Sequence, residues 1–402
     1  MKNKFALFLT ISSLALAMLA CQLPWSAIPT PTETSTDTVT PETPTGTSTE
    51  PPTEEPTPSL PIFANPVIFN FSMFTPTEGW AVTQDGNYLL VTVDGGGTWL
   101  DATPAVLHPL PSGITSLSIN PFFLDKSTAW FTPTNSGMLY LTQDSGMNWT
   151  TTALPFDNAR YFFLNLSNGF ALVDLGAGAG SHYVALYQTT DGGATWTEAF
   201  THEPGESKSL PESGAKSGIT FLDISHGWIG GSIPMTDHFY LYFTTDGGAT
   251  WAQETDISLP GMFAGSFLDV QQLFFVNNTV AYLPVRALTS GGDNYMLIYR
   301  SADSGQTWTF QNSVQDGRAI DFYAIDTGWI AAAMDLYLTL DGGAAWSPAT
   351  TNGIPAAEYI LNVNFVDGQH GWVLTTPDNS TWVPLKFYRT TDGGANWTQL
   401  LP

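Results

Sequence analysis

The chain has 402 residues, of which 36 are acidic and 11 basic, for a formal net charge of −25. So lopsided a field repels phosphate backbones and anionic lipid headgroups, which excludes nucleic-acid binding and membrane docking through a basic patch. Aromatic residues make up 13%, with 14 Trp, which excludes disorder of the whole chain; a single Cys excludes an internal disulfide and a Cys-based zinc site.

Residues 1–20 begin with Lys2 and Lys4, continue in an apolar run from Phe5 and end in small residues. This is the pattern of an export signal. The stretch Leu19-Ala20-Cys21 resembles the end of a bacterial lipoprotein signal, with Met18 where Leu is commoner. The resemblance implies that Cys21 is diacylated and becomes the new N-terminus. The protein is then lipid-anchored and extracytoplasmic, in the periplasm or at the cell surface, and touches the membrane only through that anchor. Residues 28–61 are dominated by Pro, Thr and Glu and hold no aromatic. Such a stretch cannot bury enough apolar surface to offset its ordering entropy, so a disordered linker is expected, reaching up to roughly 120 Å if extended. The expected organisation is a signal at 1–20, a linker at 21–61 and a folded part at 62–402.

From residue 62 onward a two-part pattern recurs seven times. Its sharp half reads Ser/Thr-x-Asp-Gly/Ser-Gly-x-(Thr/Asn/Ala)-Trp. The aspartates are Asp94, Asp144, Asp191, Asp246, Asp303, Asp341 and Asp392, and the tryptophans that close each copy are Trp99, Trp149, Trp196, Trp251, Trp308, Trp346 and Trp397. The softer half is a Phe, a short polar turn and then Gly-Trp or a relative, as in Phe163…Gly169-Phe170 and Phe365…Gly371-Trp372; in the first copy it reads Phe74…Gly79-Trp80. Only Trp25 and Trp382 fall outside this scheme.

The sharp half is turn chemistry. Tyr stands four residues before the Asp in every copy but the first, where Leu90 takes its place. Tyr and Ser/Thr two apart share one face of a strand. The carboxylate accepts backbone N–H groups of the following residues, and Gly supplies positive φ. Trp then anchors the returning strand. Each copy is a β-hairpin that carries its own lock. With the softer half, each repeat has four strands, in the first copy 67–73, 79–82, 89–93 and 98–102. No helical periodicity appears beyond the leader. The fold class is therefore all-β, a seven-bladed β-propeller of four-stranded blades built from consecutive strands. The end copies are as regular as the middle ones, which favours a ring over a capped linear array.

The sharp motif is the Asp-box, also called the bacterial neuraminidase repeat. Paired with the Phe…Gly-Trp half, residues 62–402 resemble the seven-bladed propellers of the photosystem II stability/assembly factor type. The resemblance implies a monomeric, non-enzymatic scaffold that holds a membrane or surface protein partner and uses no cofactor. Photosynthetic members of that family carry an Arg-rich patch; this chain departs from them with just five Arg, a departure that bears on the photosystem partner and leaves the fold assignment intact.

The rival reading is a cell-surface glycoside hydrolase, sialidase-like or other, or a glycan-binding propeller. A sialidase needs three Arg for its substrate carboxylate. Arg300 and Arg389 stand on third strands, which leaves Arg160, Arg286 and Arg318 as candidates for a cluster. Other glycosidases need two carboxylates, and nothing in the sequence singles out a pair. The six His show no metal-ligand spacing. The run from Leu175 to Gly180 reads as a hairpin tip. A long polar insertion, 198–218, carries Lys208 and Lys216. Long loops on propeller faces bind partners, so Arg160, Arg318, Lys208 and Lys216 are the candidate partner-binding residues.

Overall fold

The computed structural model describes residues 59–110, 116–134, 136–202 and 209–401. Cys21 and Lys208 lie outside these residues, as do the leader and most of the Thr/Pro/Glu-rich stretch. The regular structure of the described chain is strand throughout, apart from two single 3-10 turns, Ala105–Leu107 and Gly261–Phe263.

Strands follow one another in sequence order within each four-stranded antiparallel sheet. The seven units span 68–101, 120–153, 159–201, 215–253, 267–315, 317–348 and 359–401, and are numbered blades 1 to 7. In blade 1 the strands are Ile68–Met73, Gly79–Thr83, Leu89–Thr92 and Leu100–Asp101, each within two residues of its expected bounds. In blade 5 the first strand is split in two, Phe267–Val270 and Phe274–Phe275.

The core is not one cluster but seven, each shared by two adjacent blades. The seventh joins Phe71, Met73 and Trp99 of blade 1 to Trp372, Leu374 and Phe387 of blade 7, so the array is closed. Closure uses no shared strand. It is made by packing and by hydrogen bonds from Trp372 Nε1 to the Gly95 carbonyl (2.9 Å), from the Met73 N–H to Asn364 Oδ1 (2.8 Å) and from the Arg389 guanidinium to the Asp94 carbonyl (2.9 Å). The segment around Ile62 pairs instead with the outer strand of blade 1.

The softer half of the repeat is the ring's fastener. The Gly before each Trp lies directly across from the first-strand aromatic, whose ring covers it. A Cβ at Gly371 would stand 2.4 Å from the Phe365 ring. The aromatic then stacks on the second-strand ring of the preceding blade, as in Phe163 on Trp130, Phe322 on Tyr282 and Phe365 on Trp329. Blade 1 departs from the sequence reading. Met73, not Phe74, pairs with Gly79, and its sulfur covers that Gly. Register decides this: the covering residue always stands six before the Gly, and that position in blade 1 is Met.

The ring is uneven in height. In blade 3 the strands Gly169–Gly178 and Ser181–Thr189 run on past the first strand, Ala159–Phe163. Blade 4 extends in Gly227–Thr236 and blade 5 in Ala281–Leu288 and Asn294–Ser301. Blades 4 and 5 join edge to edge where Ser232 and Thr236 pair with Asp269 and Phe267, giving a nine-stranded sheet. Blades 3 to 5 thus raise a wall.

Candidate functional site

The seven hairpin aspartates are built alike. In each, the Ser or Thr hydroxyl two residues before donates to Asp Oδ1 at 2.8–2.9 Å. Asp Oδ1 also accepts the N–H four residues on, from Thr98 in blade 1 to Asn396 in blade 7. The same hydroxyl accepts the N–H of the second glycine, a buried bond of 2.8 Å for Thr92 and Gly96. The residue after each Asp has positive φ, including Ser145 and Ser304, and its N–H bonds the turn between the first two strands of its own blade.

These bonds consume the carboxylates. Partial burial pulls Asp94 upward, but the N–H and hydroxyl of Thr98 and the hydroxyl of Thr92 outweigh it and hold the carboxyl below its usual range. All seven shift in that direction. The tryptophans divide. Trp99, Trp251, Trp308 and Trp397 are buried, whereas Trp149, Trp196 and Trp346 are half-buried against their clusters. A residue whose acceptors are spent on its own turn is a fastener, so chemistry on partners belongs elsewhere.

Of the candidate partner-binding residues, Lys216 is not an accessible cation in a surface loop. It lies on the first strand of blade 4, Ala215–Phe221, and its ammonium is buried. There it donates to the carbonyls of His182 (2.7 Å), Glu212 (2.8 Å) and Gly214 (3.2 Å). Burial pushes its pKa down to about 8. The segment 209–214 curls back over that strand and encloses the side chain, which polar composition alone does not reveal. Arg160 donates to the carbonyls of Lys216 (3.0 Å) and Ser217 (2.8 Å), tying blade 3 to blade 4, and lines a cavity of about 210 Å3 with Asp174 and His182.

Arg318 lies elsewhere, in a cavity of about 530 Å3 formed by blades 1, 5, 6 and 7. Arg286 joins it there, donating to the Arg318 carbonyl (3.3 Å). The three arginines therefore do not share one cavity. Arg300 and Arg389 are ties between blades, to Asp326 (3.4 Å) and to the Asp94 carbonyl. Of the trio the sequence offers as a cluster, Arg286 and Arg318 do come together and Arg160 does not join them. Sequence reasoning missed Trp382, whose place outside the repeat was the one available signal.

A third cavity, about 550 Å3 and open, lies on the raised wall. Its lining is mostly small and apolar, with Ala177, Gly178 and Gly180 from the blade 3 hairpin, Ala215 and Pro234 from blade 4 and Phe267 from blade 5, and with Ser181, His182 and Ser232 as its polar members. Met235 (55% exposed) and Leu288, the strand partner of Phe267, are exposed beside it. Residues 174–178 of Gly169–Gly178 pair with Ser181–Thr189 on one side and extend beyond the blade's first strand on the other. Among the described residues, no group of three or more His, Cys, Asp or Glu is gathered closely enough to hold a metal ion.

No family model matches the chain. It is 32% identical over 81 residues, 20% of its length, to a vacuolar protein sorting/targeting protein 10 of Zygosaccharomyces rouxii. It is 24% identical over 325 residues, 72% of its length, to a xyloglucanase of a Paenibacillus species. The chain spans only 5% and 26% of those two proteins. Among solved structures, YCF48 bound to D1 peptide superposes with a TM-score of 0.51 at 16% identity, covering 79% of this chain and 97% of that one. At such identity the likeness is one of fold, and it supports the propeller assignment.

Proposed function

We propose that the protein is a non-enzymatic, lipid-anchored extracytoplasmic scaffold that holds a membrane or surface protein on its propeller, with residues 1–20 as the signal, lipidated Cys21 and a linker to residue 61. The observation that carries this reading is the raised wall. An apolar cleft bordered by exposed Met235 and Leu288 lies beside the extended edge of 174–178. A sheet edge beside apolar pockets takes an extended partner segment: main-chain bonds give affinity and the cleft gives selectivity. The comparison adds that another protein of this fold holds a peptide.

The second reading, a carbohydrate-active enzyme, is favoured by the match to the xyloglucanase. Against it, hydrolysis of a glycoside calls for two facing carboxyl groups. The lining of the wall cleft includes none, and the other two cavities include one each, Asp174 and Asp316.

The test is photo-crosslinking in the native envelope from a reactive residue at position 235, with position 93, exposed on blade 1, as control. One discrete protein captured from 235 and absent from 93 is expected. Capture from neither position, or equal capture from both, contradicts the wall as docking surface. Turnover of a xyloglucan or other glycan panel by the purified chain contradicts the non-enzymatic reading.

A further inference from the structure

The cavity at the meeting of blades 1, 5, 6 and 7 shares blade 5 with the wall but has a different lining, in which two arginines stand out on this acidic chain. Two of the five arginines line it, and neither is in an ion pair among the described residues. The Arg318 guanidinium rests over the Tyr359 ring, 5.5 Å from its centre, and Arg286 donates to the Arg318 carbonyl. In a chain of net charge −25, two unneutralised guanidinium groups side by side select an anion.

The other walls define what carries the anion. Phe69 and Trp382 stand 47% and 45% exposed at the cavity. Trp382 has a φ of +55°, a left-handed backbone that a bulky residue rarely takes, and its indole N–H is held by the Asn379 carbonyl (3.0 Å). The protein thus holds an indole in a strained pose where it gains little burial. Asn70 and Asn362 accept the N–H of the next residue on their own strands (2.9 and 2.8 Å), which fixes their side-chain amides at the cavity. Exposed aromatic faces take the C–H faces of sugar rings. Fixed amides bond vicinal hydroxyls, and guanidinium pairs take carboxylates in a forked geometry.

We infer that this cavity binds an acidic polysaccharide segment, with uronate carboxylates on Arg286 and Arg318, hydroxyls on Asn70 and Asn362, and a sugar ring on Trp382. Asp316 is the one carboxylate of the lining, so the cavity lacks the facing pair that hydrolysis of a glycoside uses. The inference does not rest on the wall as a docking surface: the cavity takes the glycan whether or not the wall holds a protein partner.

Titration of the full chain with a uronate hexasaccharide, followed by calorimetry and Trp fluorescence, tests it. Binding is expected with a Kd under about 1 mM that weakens with salt. The neutral hexasaccharide of the same linkage should bind at least about tenfold more weakly, and Arg286→Gln/Arg318→Gln and Trp382→Ala should each lose about tenfold, with unchanged melting profiles. No binding of the uronate, equal binding of the neutral sugar, or full affinity in the double Arg variant overturns the inference. Tighter binding of a hexaglutamate peptide than of the uronate also overturns it, and assigns the cavity to acidic peptides. None of these outcomes bears on crosslinking at position 235, so the two sites stand or fall separately.

Discussion

Thr92 shows how much of the molecule rests on one hydroxyl. Its Oγ1 donates to Asp94 and accepts the buried N–H of Gly96. Thr92→Val keeps the shape and the strand preference but leaves that N–H without a partner. We expect a loss of about 1–3 kcal/mol by denaturant titration, and near-complete recovery in Thr92→Ser. The carboxylates of the seven hairpins make stability depend on acid. Their folded values lie below their unfolded values, so their contribution is present above the unfolded pKa, near 4, and is lost as pH falls through the folded values. Asp321 runs the other way. It lies between the innermost strands of blades 6 and 7, where its Oδ2 accepts the Phe365 N–H (2.6 Å), and burial pushes it up to about 6. A carboxyl raised on folding favours the protonated native state, so its penalty grows as pH rises from about 4 to 6 and is complete above that. Asp321→Asn keeps the acceptor and removes the charge. It should be more stable than the parent by about 1–2 kcal/mol at pH 7 and equal to it near pH 4, as read by thermal melts across that range.

Among elements, the paired Gly and aromatic of adjacent strands carry a rule the repeat itself reveals. Where the second strand begins with Gly, the covering Phe stacks at ring centroid distances of 3.9, 3.4, 3.7 and 4.2 Å on the preceding blade. Blades 2 and 5 begin with Ala129 and Ala281, and there Phe123 and Phe275 stand back to 5.5 Å. The added methyl lifts the ring. Gly371→Ala should therefore move Phe365 away from Trp329 and cost about 1–3 kcal/mol, visible as a shift of the Trp329 fluorescence and a lower denaturation midpoint. A second element behaves as an acid-sensitive clasp. His202 Nδ1 accepts the Val184 N–H (3.1 Å) and its Nε2 meets the Leu210 carbonyl (2.7 Å), while His182 Nδ1 accepts the Lys216 N–H (3.0 Å). Burial, with Lys216 close to both, lowers both histidines; Asp174 opposes this at His182, the Leu210 carbonyl and Glu212 at His202. Groups held neutral in the fold lose their contribution as pH falls below the unfolded value near 6.5, because each protonated Nδ1 would face an N–H donor. Amides of 209–216 should exchange faster at about pH 5.5 than at pH 7.5 after correction for intrinsic rates, and His182→Asn/His202→Asn should abolish the difference.

At the level of the whole molecule, legibility follows the range of the interactions. The hairpin locks join residues two and four apart, so they repeat in the sequence and can be read from it, as can the blade count and the order of strands. Met73 escaped because the first copy offers a Phe one place later, and only the pairing with Gly79 resolves the register. Lys216 escaped because its partners lie on a segment that folds back over it; the sequence offers Arg160, Arg286 and Arg318 as one cluster, and only the fold shows that Arg286 joins Arg318 without Arg160. The cavity of Arg286 and Arg318 is the extreme case, drawing on residues from Phe69 to Leu385 that only ring closure brings together.

That closure is also what the account depends on. Asn362 and Asn70, 292 residues apart, meet across the junction of the last blade with the first. Nitroxide labels at positions 70 and 362 of the full chain, measured by pulsed electron spin resonance, test it directly. A closed ring gives a single short distance, within the reach of two labelled side chains on touching strands. A long or broad distribution would mean an open array of the same seven units, and the cavity of Arg286 and Arg318 and its proposed ligand would go with it.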